Sequence, residues 1–584
     1  MMHGRIRATA FVPALAALAL SACAADQPRQ DAADLVLRNG HVVTVDSTRP
    51  EAEAVAIRGY EIVAVGSNDE IEAYIGNGTR VIDLGGRLAI PGFIEGHGHY
   101  MGLGNAKMIL DLTTVRSWEE IVAMVGAAAR DAGRDAWISG RGWHQEKWDS
   151  VVGPTFDGVP THAALSAVSP NNPVYLSHAS GHAAFANARA LELAGIDRDT
   201  PDPPGGTIVR DDQGNPTGLL RETAQGLVSR VMNRALEQRS AEEIEREARR
   251  MVQLAGQEAI ENGVTSFHDA GSDFATIDFL KRLEAEGALP VRLYVMVRGE
   301  SNETMAERLK DYRMVAEGND FLTVRSIKHS IDGALGAHGA WLLAPYADMP
   351  GSAGLNTTDP AVIERTAQIA IENGFQVNTH AIGDRANREV LDIYERTFAA
   401  HPDKSDLRWR IEHAQHLDPA DIPRFAELGV IAAMQGVHAT SDGPWIDKRL
   451  GHERARTGAY VWRDLLDSGA IIANGTDVPV EHISPIVSFH STVARRLADG
   501  SEFFPEQRLT REEALRSYTL ANAFAAFEED IKGSITPGKL ADIVVLSKDI
   551  MTVPEEEILD AKVDITIIGG EVVYERPAAV AQGR

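Results

Sequence analysis

The chain has 584 residues, 44% of them hydrophobic and 24% charged, which are ordinary proportions for a folded protein. That length exceeds what one core usually serves, so one large domain with smaller satellites is expected. A formal charge of −27 with no long Lys/Arg block excludes a nucleic-acid surface, which needs a basic patch.

The chain opens on "MMHGRIRATAFVPALAALALSAC", where Arg5 and Arg7 precede an apolar stretch from Ala8 to Leu20 and then small residues. This is signal-peptide anatomy over residues 1–22, with an apolar core too short to span a bilayer. Cys23, the only cysteine, follows Leu20-Ser21-Ala22 as the modified cysteine follows a bacterial lipobox. The expectation is an exported lipoprotein anchored through Cys23 at the periplasmic face of a bacterial membrane. Simple cleavage would leave it periplasmic or secreted. Residues 23–32 read as a polar tether, and a lone cysteine permits no intrachain disulfide.

Next, "ADLVLRNGHVVTVD" alternates apolar and polar residues around Asn39-Gly40 and predicts a β-hairpin. Near the other end, "ADIVVLSKDI" and "DITIIGGEVVYE" do the same around Gly569-Gly570. Neither end has enough strands to stand alone. Residues 33–90 and 532–578 are therefore expected to pair into one small composite β-sandwich domain.

Between these ends a helix–Gly–strand unit recurs. Ser240 and Glu243 open one helix in capping-box spacing, Asn262-Gly263 closes it, and an apolar strand follows. Asn373-Gly374, Gly429 and Gly469 punctuate three more units. Eight candidate strands are countable: "PGFIEGHGH", "VTSFHDAG", "VRLYVMV", "VRSIKHSIDG", "QVNTHAIGD", "RWRIEHAQ", "VIAAMQGVH" and "IIANGTD". An α/β fold with a (β/α)8 TIM-type barrel over residues 91–531 is expected. A doubly wound sheet is the competitor, but "GHGHYMGLG" lacks its phosphate-binding glycine pattern. Residues from about 105 to 260 are too many for a βα loop and predict an insertion with its own structure.

The polar residues ending these strands are His97, His99, Lys328, His380, His413 and Asp477. Chance gives about 0.6 H-x-H pairs in a chain with this many histidines, so the spacing of His97 and His99 means little until its neighbours are counted. In a barrel, strand ends meet at one mouth. His97 and His99, at i and i+2, are expected on one face of the first strand, with Gly98 clearing the other. Asp477 could also cap the following helix. His268 and Asp269 read as structural, His416 as a loop residue, and His438 as the end of the seventh strand.

Together "PGFIEGHGH", "KHSIDGALG", "NTHAIGDRA", "RIEHAQ", "ANGTDVPVE" and "GSITPGKLADIVVL" resemble the metal-dependent amidohydrolase superfamily, and within it the YtcJ-like, amidohydrolase 3 branch that includes N-substituted formamide deformylase. The insertion motifs "GRGWHQEKWD", "SGHAAFANARAL" and "DPPGGTIVRDDQGNPTGLLRE" resemble that branch too. The resemblance runs from about residue 33 to 576. It implies one or two divalent ions, zinc first by ligand chemistry, with manganese, iron or cobalt also compatible. His97, His99 and Asp477 would serve the more buried position, His380 and His413 a second, and Lys328, carboxylated to a carbamate, would bridge.

Asp477 would be the general base, and hydrolysis by metal-activated water would need no Ser or Cys nucleophile. Trp143, His182 and His438 would contact substrate. His144 and Ser180 stand where related sequences often carry aspartates, so substrate preference does not transfer directly. The implied activity is hydrolysis of a non-peptide C–N bond in a small molecule: an N-acyl or N-formyl amide, or a cyclic amide. Competing readings are hydrolysis of an ester or carbamate, ring deamination, and a lipid-tethered binding protein with an inactive site. The complete set of six candidate groups argues against the last. Membrane association is expected only through the lipid anchor, and a homo-oligomer is left open.

Overall fold

A computed structural model describes residues 32–577, apart from 146–147, 150, 152–154, 157, 180, 182, 205, 317–319 and 337. The leader, Cys23 and His182 lie outside the described residues.

Eight parallel strands form the central sheet: β1 (Phe93–Gly98), β2 (Val264–Ser272), β3 (Arg292–Val297), β4 (Leu322–Ser330), β5 (Gln376–Ala381), β6 (Arg410–His413), β7 (Ile431–Gln435) and β8 (Ile472–Gly475). Each pairs with its successor in chain order, the arrangement of a (β/α)8 barrel. Both faces are covered, which is why these segments read as near-continuous apolar runs. The helices between them start and stop as their sequences dictate. Ala241–Glu261 opens on the Ser240–Glu243 capping box, and Gly374 and Gly429 end two other helices in the left-handed conformation.

No ladder joins β8 to β1; individual hydrogen bonds bridge that seam instead. The Asp477 backbone N–H donates to the His97 carbonyl at 2.7 Å, and His99 N–H donates to the Val478 carbonyl at 2.7 Å. Thr476 donates to the Glu95 carboxylate from its backbone (2.7 Å) and its hydroxyl (2.9 Å). Asn522 Nδ2 spans both sides, donating to the carbonyls of Ile94 (2.6 Å) and Asn474 (2.8 Å). Gly475 makes this approach feasible: a Cβ there would lie 2.4 Å from Glu95 Oε1 and 2.5 Å from His97 N. Gly98 is forced for a related reason, since a Cβ would meet Phe267 Cζ at 2.6 Å.

The two ends of the chain build adjoining sheets. One contains Leu35–Arg38, Ala54–Arg58, Glu61–Gly66 and Arg80–Asp83. The other joins His41–Val43, Glu51–Ala52 and Leu88–Pro91 to the C-terminal strands Ile543–Leu546, Val563–Ile568 and Glu571–Glu575. Leu37, Val55 and Ile57 of the first share one core with Val42, Ile543, Val545 and Ile567 of the second. The hairpin expected at Gly569-Gly570 forms, with Ile568 opposite Glu571.

The hairpin expected at Asn39-Gly40 does not form. The strands on either side enter different sheets, because the turn's donors are taken by distant segments. Gly40 N–H donates to the Glu53 carbonyl and His41 N–H to that of Arg87. Gly40 is needed where Leu84 Cδ1 would come within 2.3 Å of a Cβ.

Between β1 and β2 lies a separate six-stranded sheet, whose strands run from Leu110–Asp111 to Pro216–Glu222. Trp118, Ile121, Trp143 and Phe185 pack in its own core. It touches the barrel mouth through Arg141, whose guanidinium donates to the Pro479 carbonyl.

Gly475→Ala should destabilise the protein by about 1–3 kcal/mol, the usual range for overpacking a buried site, read as a lower midpoint in a thermal melt. A variant melting like the parent would mean that the seam is not a tight contact.

Candidate metal centre

All six polar strand-end residues converge on one mouth of the barrel. His99 Nε2 lies 3.1 Å and His97 Nε2 3.7 Å from Asp477 Oδ1. Lys328 Nζ is 3.2 Å from His97 Nε2. The ring of His413 lies 4.8 Å from that of His97 and 4.5 Å from that of His380, centroid to centroid. One ligand atom each from His97, His413 and Asp477 falls within 4.8 Å of the others. This trio, drawn from β1, β6 and the turn after β8, cuts across the two groups that the resemblance implied.

His97, His413, Lys328 and Asp477 are buried, whereas the side chains of His99 and His380 are 29% and 18% exposed. The last two therefore face the open side. His99 is not a strand residue as expected; it precedes the helix Tyr100–Ala106, and its ring stands at 90° to that of His97.

Backbone conformation explains how the set assembles. His413 (φ 77) and Asp477 (φ 58) adopt the left-handed region, which costs a non-glycine residue about 1–3 kcal/mol and clusters at functional sites. At His413 the twist breaks the strand's alternation, so adjacent Glu412 and His413 both reach His97. Glu412 pairs with His97 Nδ1, leaving Nε2 to face the cluster. Gln435 Oε1 likewise meets His413 Nδ1 at 2.7 Å. Such outer partners hold ligating imidazoles in one tautomer and orientation.

Burial, reinforced by neighbouring cations and imidazoles, holds His97, His380 and His413 well below the ordinary histidine range. They are neutral, with lone pairs available. Burial pushes Asp477 up, but the hydrogen bond with His99 and the neighbouring imidazoles outweigh it and hold the carboxyl well below the usual carboxylate range. Burial also pushes Glu95 up to about 8 and Glu412 up to about 7, and brings Lys328 down to about 8.

Neutral imidazoles around an ionised carboxylate are the donor set of a borderline divalent cation. His380 Nε2 is buried without a hydrogen-bond partner, and a ligating role would satisfy it. The residues fit a metal ion.

Glu412, Gln435 and Asp332 are absent from the sequence-level candidates. Asp332 accepts the backbone N–H groups of Trp341 (2.9 Å), Ile382 (3.0 Å) and Gly383 (2.8 Å) beside His380. Glu412 adjoins His413 in "RIEHAQ", but strand alternation sends it to the opposite face, so no local signal marks it. His268 contacts Arg410, and Asp269 accepts from Tyr100 N–H and the Ser272 hydroxyl, both structural roles.

His438 does not end β7. It lies in the first turn of the helix Gly436–Leu450, because Asn474 and Ser488 accept the Gly436 and Val437 N–H groups and start the helix there. Its ring stacks 6.3 Å from that of His413, and its Nε2 is buried without a partner. His416 is buried against Tyr460. Trp143 packs in the insertion core with its indole N–H on the Leu176 carbonyl at 2.9 Å, so the structure gives it no open face for a substrate.

The model of the amidohydrolase family matches residues 80–574. The Arabidopsis thaliana protein LONG AFTER FAR-RED 3 is 35% identical over 93% of this chain and 92% of its own length. N-substituted formamide deformylase of Arthrobacter pascens is 28% identical over 93% of this chain and 98% of its own. Among solved structures, a metal-dependent hydrolase from Pyrococcus horikoshii superposes with a TM-score of 0.72 at 26% identity, covering 89% of this chain and 99% of its own.

Glu412→Gln keeps the shape and removes the charge behind His97. Zinc affinity, measured by chelator competition, should fall about 10–100-fold, the usual cost of losing such a partner. Unchanged affinity would show that Glu412 does not orient His97 for a metal.

Proposed function

The chain belongs to the amidohydrolase family, and from that premise we propose that this hydrolase cleaves a non-peptide C–N bond in a small molecule, an N-acyl or N-formyl amide or a cyclic amide. The observation that carries the reading is the convergence of His97, His413 and Asp477 within 4.8 Å, from two strands and a turn far apart in sequence. The deformylase relative, named for N-substituted formamides, supports the bond class.

His97, His413 and Asp477 would hold a divalent ion, zinc by preference, and His99 and His380 would add donors from the open side. Such an ion supplies Lewis-acid polarisation of the carbonyl and a more acidic water. Lys328, brought down to about 8 by burial, has an accessible neutral amine. That amine would add carbon dioxide and lose a proton, giving a carbamate whose two oxygens would serve as anionic metal ligands. A carboxyl oxygen of Asp477 takes a proton from the attacking water as the C–O bond forms. It delivers that proton to the leaving nitrogen as the C–N bond breaks, and the products are an acid and an amine. His438 Nε2 hydrogen-bonds the substrate beside His413, and His182 contributes from the insertion.

The domain layout in this reading is a barrel over 91–531 carrying an insertion at about 105–260, beside a composite β-sandwich of 33–90 and 532–578. Residues 1–22 direct export, and a lipid on Cys23 tethers the protein to a bacterial membrane.

Asp477→Asn should leave bound metal largely in place while hydrolysis of an N-formyl or N-acyl amine falls about 10²–10⁴-fold, the usual worth of a general acid–base group. Near-normal turnover would remove Asp477 from proton transfer. Cys23→Ser should move the expressed protein from the membrane pellet to the soluble fraction; an unchanged distribution would sink the anchor.

A further inference from the structure

Beside the metal cluster is a cavity of about 300 Å³ whose walls include Arg298, Lys328, His329, Met305 and Thr358. This is the lower end of the volume of small-molecule sites. Val297 and Ile327 give it apolar surface, and Lys328 places the metal cluster on its wall.

Arg298 is the unusual member. The chain is strongly acidic, and many of its arginines sit in ion pairs, Arg249, Arg292, Arg408, Arg424 and Arg463 among them. Among the described residues no carboxylate pairs with Arg298. Its nearest acceptor is the Ala270 carbonyl at 3.5 Å, a marginal contact, and the residue is exposed. Glu300, on the same wall, accepts the Phe274 N–H at 2.9 Å, and Arg141, which comes from the insertion, is committed to the Pro479 carbonyl.

The Arg298 stem is held in place. Gly271 has no side chain where a Cβ would lie 2.4 Å from Arg298 Cβ and 2.6 Å from its Cδ, and Arg298 N–H donates to the Ser272 carbonyl at 2.9 Å. The guanidinium is thus presented over the cavity from a fixed base. Among the described residues that line the cavity, the other basic side chains are Lys328 and His329.

We propose that Arg298 is a specificity residue that binds a carboxylate on the substrate, so that the hydrolysed amide is an N-acyl or N-formyl amino acid. This rests on the amide-hydrolase reading above and narrows it. A planar guanidinium takes a carboxylate through two parallel N–H···O bonds, which a neutral amide cannot match. The same cavity reaches from that anchor to Lys328, whose Nζ lies 3.2 Å from His97 Nε2. Its apolar wall suits an aliphatic side chain between the two.

The test compares N-formylalanine with N-formylalaninamide, which differ only in the carboxylate, on zinc-loaded protein. Turnover is measured on the parent and binding on the Asp477→Asn background by calorimetry. The parent should prefer the carboxylate, and Arg298→Gln should shrink that preference about 10–100-fold, in line with loss of a charge-assisted pair. Arg298→Glu should invert the preference, and Arg298→Lys should restore part of it. Equal handling of both compounds by the parent, or an equal loss on both in Arg298→Gln, overturns the proposal. Turnover of both compounds without preference would leave amide hydrolysis standing and the Arg298 role lost. A carboxylate preference in binding with no turnover of either would uphold the Arg298 role and remove the amide-hydrolase reading.

Discussion

The hydrogen bond from the Asp477 backbone N–H to the His97 carbonyl joins the first strand of the barrel to the turn after the last. Everything at the mouth depends on that junction. It sets a histidine and an aspartate from opposite ends of the barrel sequence side by side, and Glu95, Thr476 and Asn522 hold it shut. No regular ladder could do this, because the backbone at Asp477 is already left-handed and turning away. Two glycines, Gly98 and Gly475, make room for the contact, so the geometry of the site is decided first by what the backbone must avoid.

Burial then determines the chemistry. Three imidazoles within a few ångströms of one another would repel if protonated, and desolvation keeps them neutral. Glu412 and Gln435 use one nitrogen of His97 and His413 and so aim the other. The left-handed conformations of His413 and Asp477 cost a few kcal/mol together. That strain is comparable to the roughly 1–3 kcal/mol lost for each buried polar atom left unsatisfied. A metal ion shared by these residues would offset both costs at once, which gives a physical reason for concentrating them here.

Around this centre the barrel is a frame, and other elements of the chain overhang it. The six-stranded insertion reaches the turn after Asp477 through Arg141, and the β3 end supplies Arg298 over the cavity beside Lys328. Both arginines come from outside the metal cluster. One braces the turn that carries Asp477, and the other makes only a marginal contact with the Ala270 carbonyl.

Much of this was legible in the chain itself. Eight apolar segments, separated by helices that stop at glycine, specify a parallel barrel because each signal is local: a capping box at Ser240, left-handed glycines at 374 and 429, strands buried on both faces. The six strand-end residues were legible because a barrel brings strand ends together whatever loops intervene. Tertiary structure alone decided the rest. The Asn39-Gly40 segment has the local pattern of a hairpin, yet its hydrogen-bond partners, Glu53 and Arg87, come from elsewhere. Regular alternation would put only one of Glu412 and His413 on the inner side, and it is the twist at His413 that brings both there. His438 looks like a strand end until Asn474 and Ser488 start a helix before it. In each case the deciding partner is distant in sequence, and pairing between distant segments leaves no mark on the residues it joins.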